Sequence, residues 1–397
     1  MGKEFNRQSL SILMASIIGP GLGGIATLAF PVFLTAMAQQ YGGRGIVSAL
    51  YTVAGLAGYA GMLIVGAAVD RWGARHVAPA VALFSAIVTC LLWPTASLGL
   101  GGLFLLFLLA GFGNSTLAAY SKLNAVYFNR RRGFAFALSA MGLGVIWFMA
   151  IPQTASALLA SFDWRQSYGI MGLAALIGGV PLIAWLVRDA GVAGPSATGA
   201  SGVEPREAWR TPIFWMIIVG VCAEAATVNS CRAHMVALMT DRGVSAHMAA
   251  LVLSSALAGT LIGQPLAGWL LDRCASARIV LPFVFCSVGG VLLLAFGTSL
   301  PMWIAGNVVM SAGYAAELLM APYFFTRFFG ARNHGRIYGS MFVCLAPITA
   351  AAPAVMGFIY DRTGSYQPAL IGFAIALAIG GACLFLLPPF RFPARES

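Results

Sequence analysis

An all-α membrane protein, with twelve transmembrane helices in two pseudo-symmetric six-helix bundles, is the fold class that this sequence predicts. Three observations carry the prediction. Hydrophobic residues make up 60% of the 397 and charged residues only 9%, at a mean hydropathy of +0.87, whereas about a quarter of a soluble domain is charged. Apolar stretches of about 20 residues or more, long enough at 1.5 Å per residue to cross roughly 30 Å of hydrocarbon, recur between short charged loops. The loops themselves also recur. Asp70, Arg71, Gly73 and Arg75, in Gly-Ala-Ala-Val-Asp-Arg-Trp-Gly-Ala-Arg (66 to 75), have a degenerate copy at 268 to 278 in which Asp272 lies 202 positions after Asp70. The same offset links Gly133 to Gly335, and nearly the same one links Asp-Trp-Arg-Gln-Ser-Tyr (163 to 168) to Asp-Arg-Thr-Gly-Ser-Tyr (361 to 366). Three landmarks in one order mean a duplicated membrane unit.

Taken in order, the first apolar run, 9 to 37, continues past signal-peptide length and has no small-residue cleavage site, so it is expected to stay as helix 1. Helix 2 is placed at 44 to 69, closed by the Asp70 loop, and helix 3 at 76 to 96. Helix 4, at 99 to 127, stops before Arg130, Arg131 and Arg132, and helices 5 and 6 follow at 133 to 160 and 166 to 187. The stretch from Ala190 to Glu207, rich in Gly, Ser, Ala and Pro, reads as a flexible linker. The domain plan is therefore a bundle at 1–187, a cytoplasmic linker at 188–211 and a second bundle at 212–397. In the second bundle the helices fall at 212 to 239, 246 to 271, 278 to 298, 301 to 326, 335 to 359 and 366 to 388. The 47 glycines suit close approach of membrane helices, and prolines within spans, such as Pro152, Pro265 and Pro353, mark expected bends.

A net charge of +11 raises nucleic acid as a partner, but its placement argues for orientation in a bilayer. Seventeen of the lysines and arginines fall on one side of a twelve-helix plan and four, Arg44, Arg165, Arg242 and Arg362, on the other; Lys122 and Arg232 remain within spans. The positive-inside rule then puts both termini in the cytoplasm, with a bacterial-type inner membrane as the expected location. The seven cysteines lack CxxC spacing and histidine partners, so neither metal nor cofactor is expected. Gly19 to Gly24 matches GxGxxG, yet no strand precedes it, and close helix packing explains it better than a dinucleotide.

With these motifs in hand, the chain resembles the major facilitator superfamily: the Gly-x-x-x-Asp-Arg-x-Gly-x-Arg loop after helix 2, its copy after helix 8, and the Arg-Arg-Gly that opens helix 5 carry the likeness. The resemblance implies a secondary transporter and a cytoplasmic latch formed by Gly66, Asp70, Arg71, Gly73, Arg75, Asp272 and Arg273, in which the Asp70 carboxylate pairs with arginines or accepts from a helix N-terminus. A turn that only obeys the positive-inside rule is the plainer reading. Within the superfamily, Arg-Thr-Pro-Ile-Phe-Trp (210 to 215), Thr-Asp-Arg-Gly-Val-Ser (240 to 245), Arg-Phe-Phe-Gly-Ala-Arg (327 to 332) and Tyr-Asp-Arg-Thr-Gly-Ser-Tyr (360 to 366) are similar to the monocarboxylate transporter and oxalate/formate antiporter branch. Many members of that branch have an arginine, the usual anion partner, where this chain has Gln264. Helix 5 lacks the Gly-Pro-x-x-Gly-Gly signature of many drug antiporters, which lowers multidrug efflux to the alternative.

Ionisable groups inside a span cost about 2.5 to 3.5 kcal/mol each on insertion scales, so they ask for a partner or an aqueous cavity. Glu317 lies ten residues before Arg327, about 15 Å from the cytoplasmic end, and Glu224 is similarly deep. Both are candidate proton carriers; a paired, purely structural glutamate is the alternative. Arg232 offers an anion a permanently charged donor fork, or else snorkels to the outer surface. Asn229 and His234 flank it, the first as a substrate-orienting amide, the second as an interfacial residue with a weaker claim to proton transfer. Lys122, about 12 Å inside helix 4, is either a substrate cation or a snorkelling side chain, and Tyr120 and Asn124 add hydrogen-bonding groups beside it. Basic residues near the position of Lys122 and acidic ones near that of Glu317 are common in the resembling branch. Lys122 and Arg232 would supply one cation from each half.

The expectation from these residues is a transporter of a small organic anion, a carboxylate, coupled to protons and working as a monomer by alternating access. The substrate-binding set is Lys122, Arg232, Asn229, Tyr120, Asn124 and Gln264; the proton-coupling set is Glu317, Glu224 and His234. A membrane enzyme would need a nucleophile with its base or a metal cluster, and a sensor an appended signalling domain; the sequence offers neither.

Overall fold

The computed structural model describes residues 7–94, 99–116, 120, 149–187, 202–274, 276–330 and 333–391. Ten helices among them are long and apolar enough to cross a membrane. The two other expected spans are described in part, as α4 (Gly99–Gly113) and α5 (Ile151–Leu159). The described residues are helical, with a lone Gly202 to Gly330 bridge. They form two compact units, 1–196 with 239–251 and 197–238 with 252–397.

In unit 1, α1 (Arg7–Tyr41), α2 (Arg44–Trp72), α3 (Ala74–Leu91) and α4 are followed by α5 and by a span made of α6 (Trp164–Ala174), a π-helical turn at Ala175–Gly179 and α7 (Val180–Val187). Asp163 begins that span with a reciprocal cap: its carboxylate accepts from Gln166 N at 2.7 Å while Gln166 Oε1 accepts from Asp163 N at 3.3 Å. The Tyr168 hydroxyl donates to Ala26 O at 2.9 Å, and Phe33 and Phe107 stand edge-on to its ring. Small residues let the helices touch. Gly19 lies against the Tyr120 ring, Gly23 against Gly113 O, and Gly111 against Ala54 O, so the Gly19 to Gly24 stretch is a packing surface.

Unit 2 holds a short α8 (Pro205–Trp209), α9 (Pro212–Thr240) as far as Leu238, α10 (Ala246–Ser254) from Val252 on, α11 (Ala256–Arg273), a 3-10 turn (Ala277–Val280), α12 (Leu281–Phe296), α13 (Leu300–Phe329), α14 (His334–Thr363) and α15 (Gln367–Phe385). Its core is aromatic where Phe214, Phe325, Phe329 and Tyr338 meet. Helix α13 is seated in glycine notches: Gly259 and Gly263 of α11 face its Val308 and Ala312 carbonyls, and Gly290 of α12 lies against Gly306 and Met310. The repeat is visible in these seams. Gly61, Ser85 and Gly111 of unit 1 stand 202 positions before Gly263, Ser287 and Gly313. Each serine faces a glycine of the next helix, Ser85 at Gly113 and Ser287 at Gly313.

One expectation is refined here and one changes. The span expected from 246 to 271 is present as a single membrane-crossing length, with an irregular turn at Ser255, where Asn307 of α13 donates to Val252 O at 2.7 Å and to Ser255 Oγ at 3.1 Å. The end of the expected flexible linker is folded onto unit 2. Val203 N donates to Phe329 O at 2.9 Å, Asn333 Nδ2 to Val203 O at 2.9 Å, and Trp209 Nε1 to Ser340 Oγ at 2.9 Å. Its glycine-rich composition hides those anchors, because a single apolar residue and one indole are enough to dock it.

Candidate functional site

The deep charges of unit 2 come together on α9, α12 and α13. Glu224 is buried, and so is Glu317, which is close enough for its charge to act on Glu224. Ser287 of α12, fully buried, donates its hydroxyl to Glu224 Oε1. Glu224 Oε2 and both Glu317 oxygens have no hydrogen-bond partner among the described residues, and the Ser311 hydroxyl six residues before Glu317 on α13 has none either. Unpaired polar atoms at this depth are rare because each costs about 1 to 3 kcal/mol. Three of the seven cysteines lie near the acids: Cys222 by Glu317, and Cys231 and Cys286 by Glu224. No group of three or more metal-ligating side chains occurs among the described residues.

Two turns along α9 from Glu224, Arg232 is half-buried, and its guanidinium lies over the Tyr314 ring at 5.7 Å. Tyr314 and Glu317 are three residues apart on α13, so one helix presents an aromatic face to the cation and a carboxyl to the acid. Asn229, also half-buried, precedes Arg232 by three residues on α9 and shares its side of the helix. Gln264 is half-buried on α11, next to the Gly263 notch.

His234 is enclosed by protein. It is fully buried, with Nε2 2.9 Å from Pro353 O and Nδ1 2.9 Å from the Tyr366 hydroxyl. A carbonyl only accepts, so Nε2 carries a proton, and Nδ1 of the neutral ring accepts from Tyr366. The ring joins α9 to α14 as a structural tie. Tyr120 is buried too, its hydroxyl lying against Gly19 without a hydrogen-bond partner among the described residues. Lys122 and Asn124 lie outside the described residues, as do the side chains of Asp70 and Asp272. Around the expected latch, Gly73 turns the chain from α2 into α3 at φ 80°, a left-handed backbone that suits glycine. A side chain at Gly66 would meet nothing within 4 Å among the described residues, Arg75 is exposed, and Arg71 and Arg273 lie over Trp72 and Trp269 at 5.5 and 4.2 Å. Sequence reasoning passed over Ser287 and Asn307, since a serine or an asparagine in an apolar run carries no charge to draw attention. The offset from Ser85 to Ser287 was the available signal.

The sequence model of the Major Facilitator Superfamily matches residues 8–235 and 233–396. The chain belongs to the Major Facilitator Superfamily. Superfamily members are transporters and not enzymes, and this member is a multi-pass membrane protein. It is 27% identical over 279 residues to monocarboxylate transporter 13 of Bos taurus, covering 69% of this chain and 63% of that protein. The chain thus spans less than two thirds of that relative's length. It is also 27% identical over 369 residues to a probable nitrate/nitrite transporter, NarK2, of Mycobacterium tuberculosis, covering 86% of each. Among solved structures, a bacterial homolog of the human lysosomal transporter Spinster superposes with a TM-score of 0.72 at 16% identity, over 96% of this chain and 97% of the other. That likeness is one of fold.

Proposed function

We propose that this superfamily member carries a small organic anion, a carboxylate, across the bilayer by alternating access in symport with a proton. The observation that carries the reading is the arrangement on α9 and α13: a half-buried Arg232 over Tyr314, and beyond it two buried carboxyls, Glu224 and Glu317. Arginine pairs with a carboxylate through two parallel N–H donors, and the tyrosine face adds apolar contact. Two ionised carboxylates in one low-dielectric space repel each other and are costly to desolvate, which a bound proton relieves. The names of the relatives add support, because monocarboxylates, nitrate and nitrite are all small anions of single charge.

In this reading Arg232, with Lys122 as a second cation, neutralises the substrate, and Asn229, Tyr120, Asn124 and Gln264 orient it. Glu317 and Glu224 hold the proton, and the loops at Asp70 and Asp272 latch one conformation. The protein works as a monomer in a bacterial-type inner membrane. The cytoplasmic placement of both termini rests on the distribution of arginines, seventeen basic residues against four.

Proteoliposome uptake of radiolabelled lactate, acetate, formate and oxalate under an imposed pH gradient tests the proposal. An inward proton gradient should drive accumulation of at least one acid, Glu317→Gln should abolish the gradient dependence, and Arg232→Lys should raise KM. Accumulation that ignores both the gradient and Glu317→Gln removes the coupling assignment; resistance to toxic compounds without acid uptake points to efflux instead.

A further inference from the structure

The two halves of the repeat share a serine at the same place and use it differently. Ser85 of unit 1 donates to Val81 O on its own helix at 2.8 Å, and the residue 202 positions before Glu224 is Leu22. Ser287 of unit 2 faces an acid instead. Its hydroxyl donates to Glu224 Oε1, with the Met310 carbonyl as a poorer second acceptor at 3.4 Å. The hydroxyl has little freedom to move elsewhere, because it is fully buried and wedged against the Cα of Gly313. Glu224 Oε2 is buried and has no partner among the described residues.

From this geometry we infer that Ser287 is the positioning residue of the proton site: it occupies Glu224 Oε1 and so directs the proton to Oε2. The inference rests on the reading of Glu224 as a proton carrier. While Glu224 is ionised, the serine supplies the hydrogen bond that makes the charge tolerable. When a proton arrives at Oε2, Oε1 becomes the carbonyl of the acid and still accepts from Ser287, so the carboxyl loads without turning. The ionisable groups near it are Cys231 on its own helix, Cys286 on α12 and Glu317 on α13, with Cys222 of α9 beside Glu317 and Cys344 of α14 beside Cys222. Ser287 is the donor seen at Oε1 among the described residues. Ser115, 202 positions before Glu317, is likewise neutral, so unit 1 holds the same frame without the acids.

Infrared difference titration of the full chain in liposomes, without substrate, reads the carbonyl stretch of protonated carboxyls directly. A band lost in Glu224→Gln belongs to Glu224. In Ser287→Ala that band should move to higher frequency, because its carbonyl loses a hydrogen bond. Its titration midpoint should rise by about one to two pH units, as the ionised form loses a charge-assisted donor. Ser287→Thr, which keeps the hydroxyl, should restore both, and Ser287→Ala in the Glu224→Gln background should change none of the remaining carboxyl bands. If Thr overpacks the Gly313 notch, Ser287→Cys, a weak donor, should lie between Ala and wild type. A Glu224 band that Ser287→Ala leaves unmoved overturns the inference while the proton reading stands; a band that behaves as expected beside uptake indifferent to pH overturns the coupling and leaves the role of Ser287 intact. No band lost in Glu224→Gln removes both.

Discussion

Two adjacent glycines in α12 make opposite demands, and substituting each by alanine tests how tightly α13, the helix of Glu317, is held. A Cβ added at Gly290 would sit 2.5 Å from both Gly306 O and Met310 N, whereas one added at Gly289 meets nothing within 4 Å among the described residues. Ordinary contact begins near 3.4 Å. Gly290→Ala therefore forces the two backbones apart by about 0.9 Å, which forfeits roughly a quarter to a half of the dispersion energy along the seam. Overpacking of this kind costs about 1 to 3 kcal/mol. Gly289→Ala strains nothing and gains up to about 1 kcal/mol of helix propensity. Thermal unfolding of the purified protein, followed by size-exclusion chromatography of heated samples, should separate them: at about 2 to 4 °C per kcal/mol for units of this size, Gly290→Ala melts lower than wild type by roughly 2 to 12 °C and Gly289→Ala at or above wild type. Equal melting temperatures for the two variants would refute the claim that backbone contact holds α12 to α13.

Further outcomes follow from other contacts. His234→Phe should lower stability by about 2 to 4 kcal/mol, since it strands Pro353 O and the Tyr366 hydroxyl, yet leave the pH midpoint of uptake in the folded fraction where wild type has it; a shifted midpoint would return His234 to the proton path. Asn307→Leu should cost about 1 kcal/mol by thermal unfolding, because the amide bonds to Val252 O and Ser255 Oγ are lost while Ser255 still donates to Val252 O. Arg44 and Asp241 form a bidentate pair at 2.5 and 2.7 Å, Arg44 being largely buried and Asp241 partly exposed. A double-mutant cycle with Arg44→Gln and Asp241→Asn should yield a coupling of about 1 to 2 kcal/mol that shrinks little in 0.5 M salt; a coupling near zero would mark the pair as incidental.

Much of the fold was legible because membrane spans and duplicated loops are one-dimensional signals. Apolar run length places each helix, and the 202-residue offset pairs Asp70 with Asp272 without any knowledge of contacts. The depth of Glu224 and Glu317 followed from counting residues along a helix. Their closeness to each other did not, since they belong to helices separated by almost a hundred residues of sequence. The partners of His234 were hidden for the same reason: position along α9 says nothing of the Tyr366 and Pro353 groups that meet its ring nitrogens. The linker shows the opposite failure, in which composition alone masked the docking of Val203 and Trp209.

Asn307 has a consequence for how α11 is held. An irregular turn inside hydrocarbon leaves carbonyls short of donors, and lipid offers them nothing. At Ser255 the local N–H and hydroxyl both reach Val252 O, and the Asn307 amide adds a donor to that carbonyl and to Ser255 Oγ. The turn is thus supplied from within the protein and pinned to α13, so the start of α11 keeps its seat on the helix that carries Glu317.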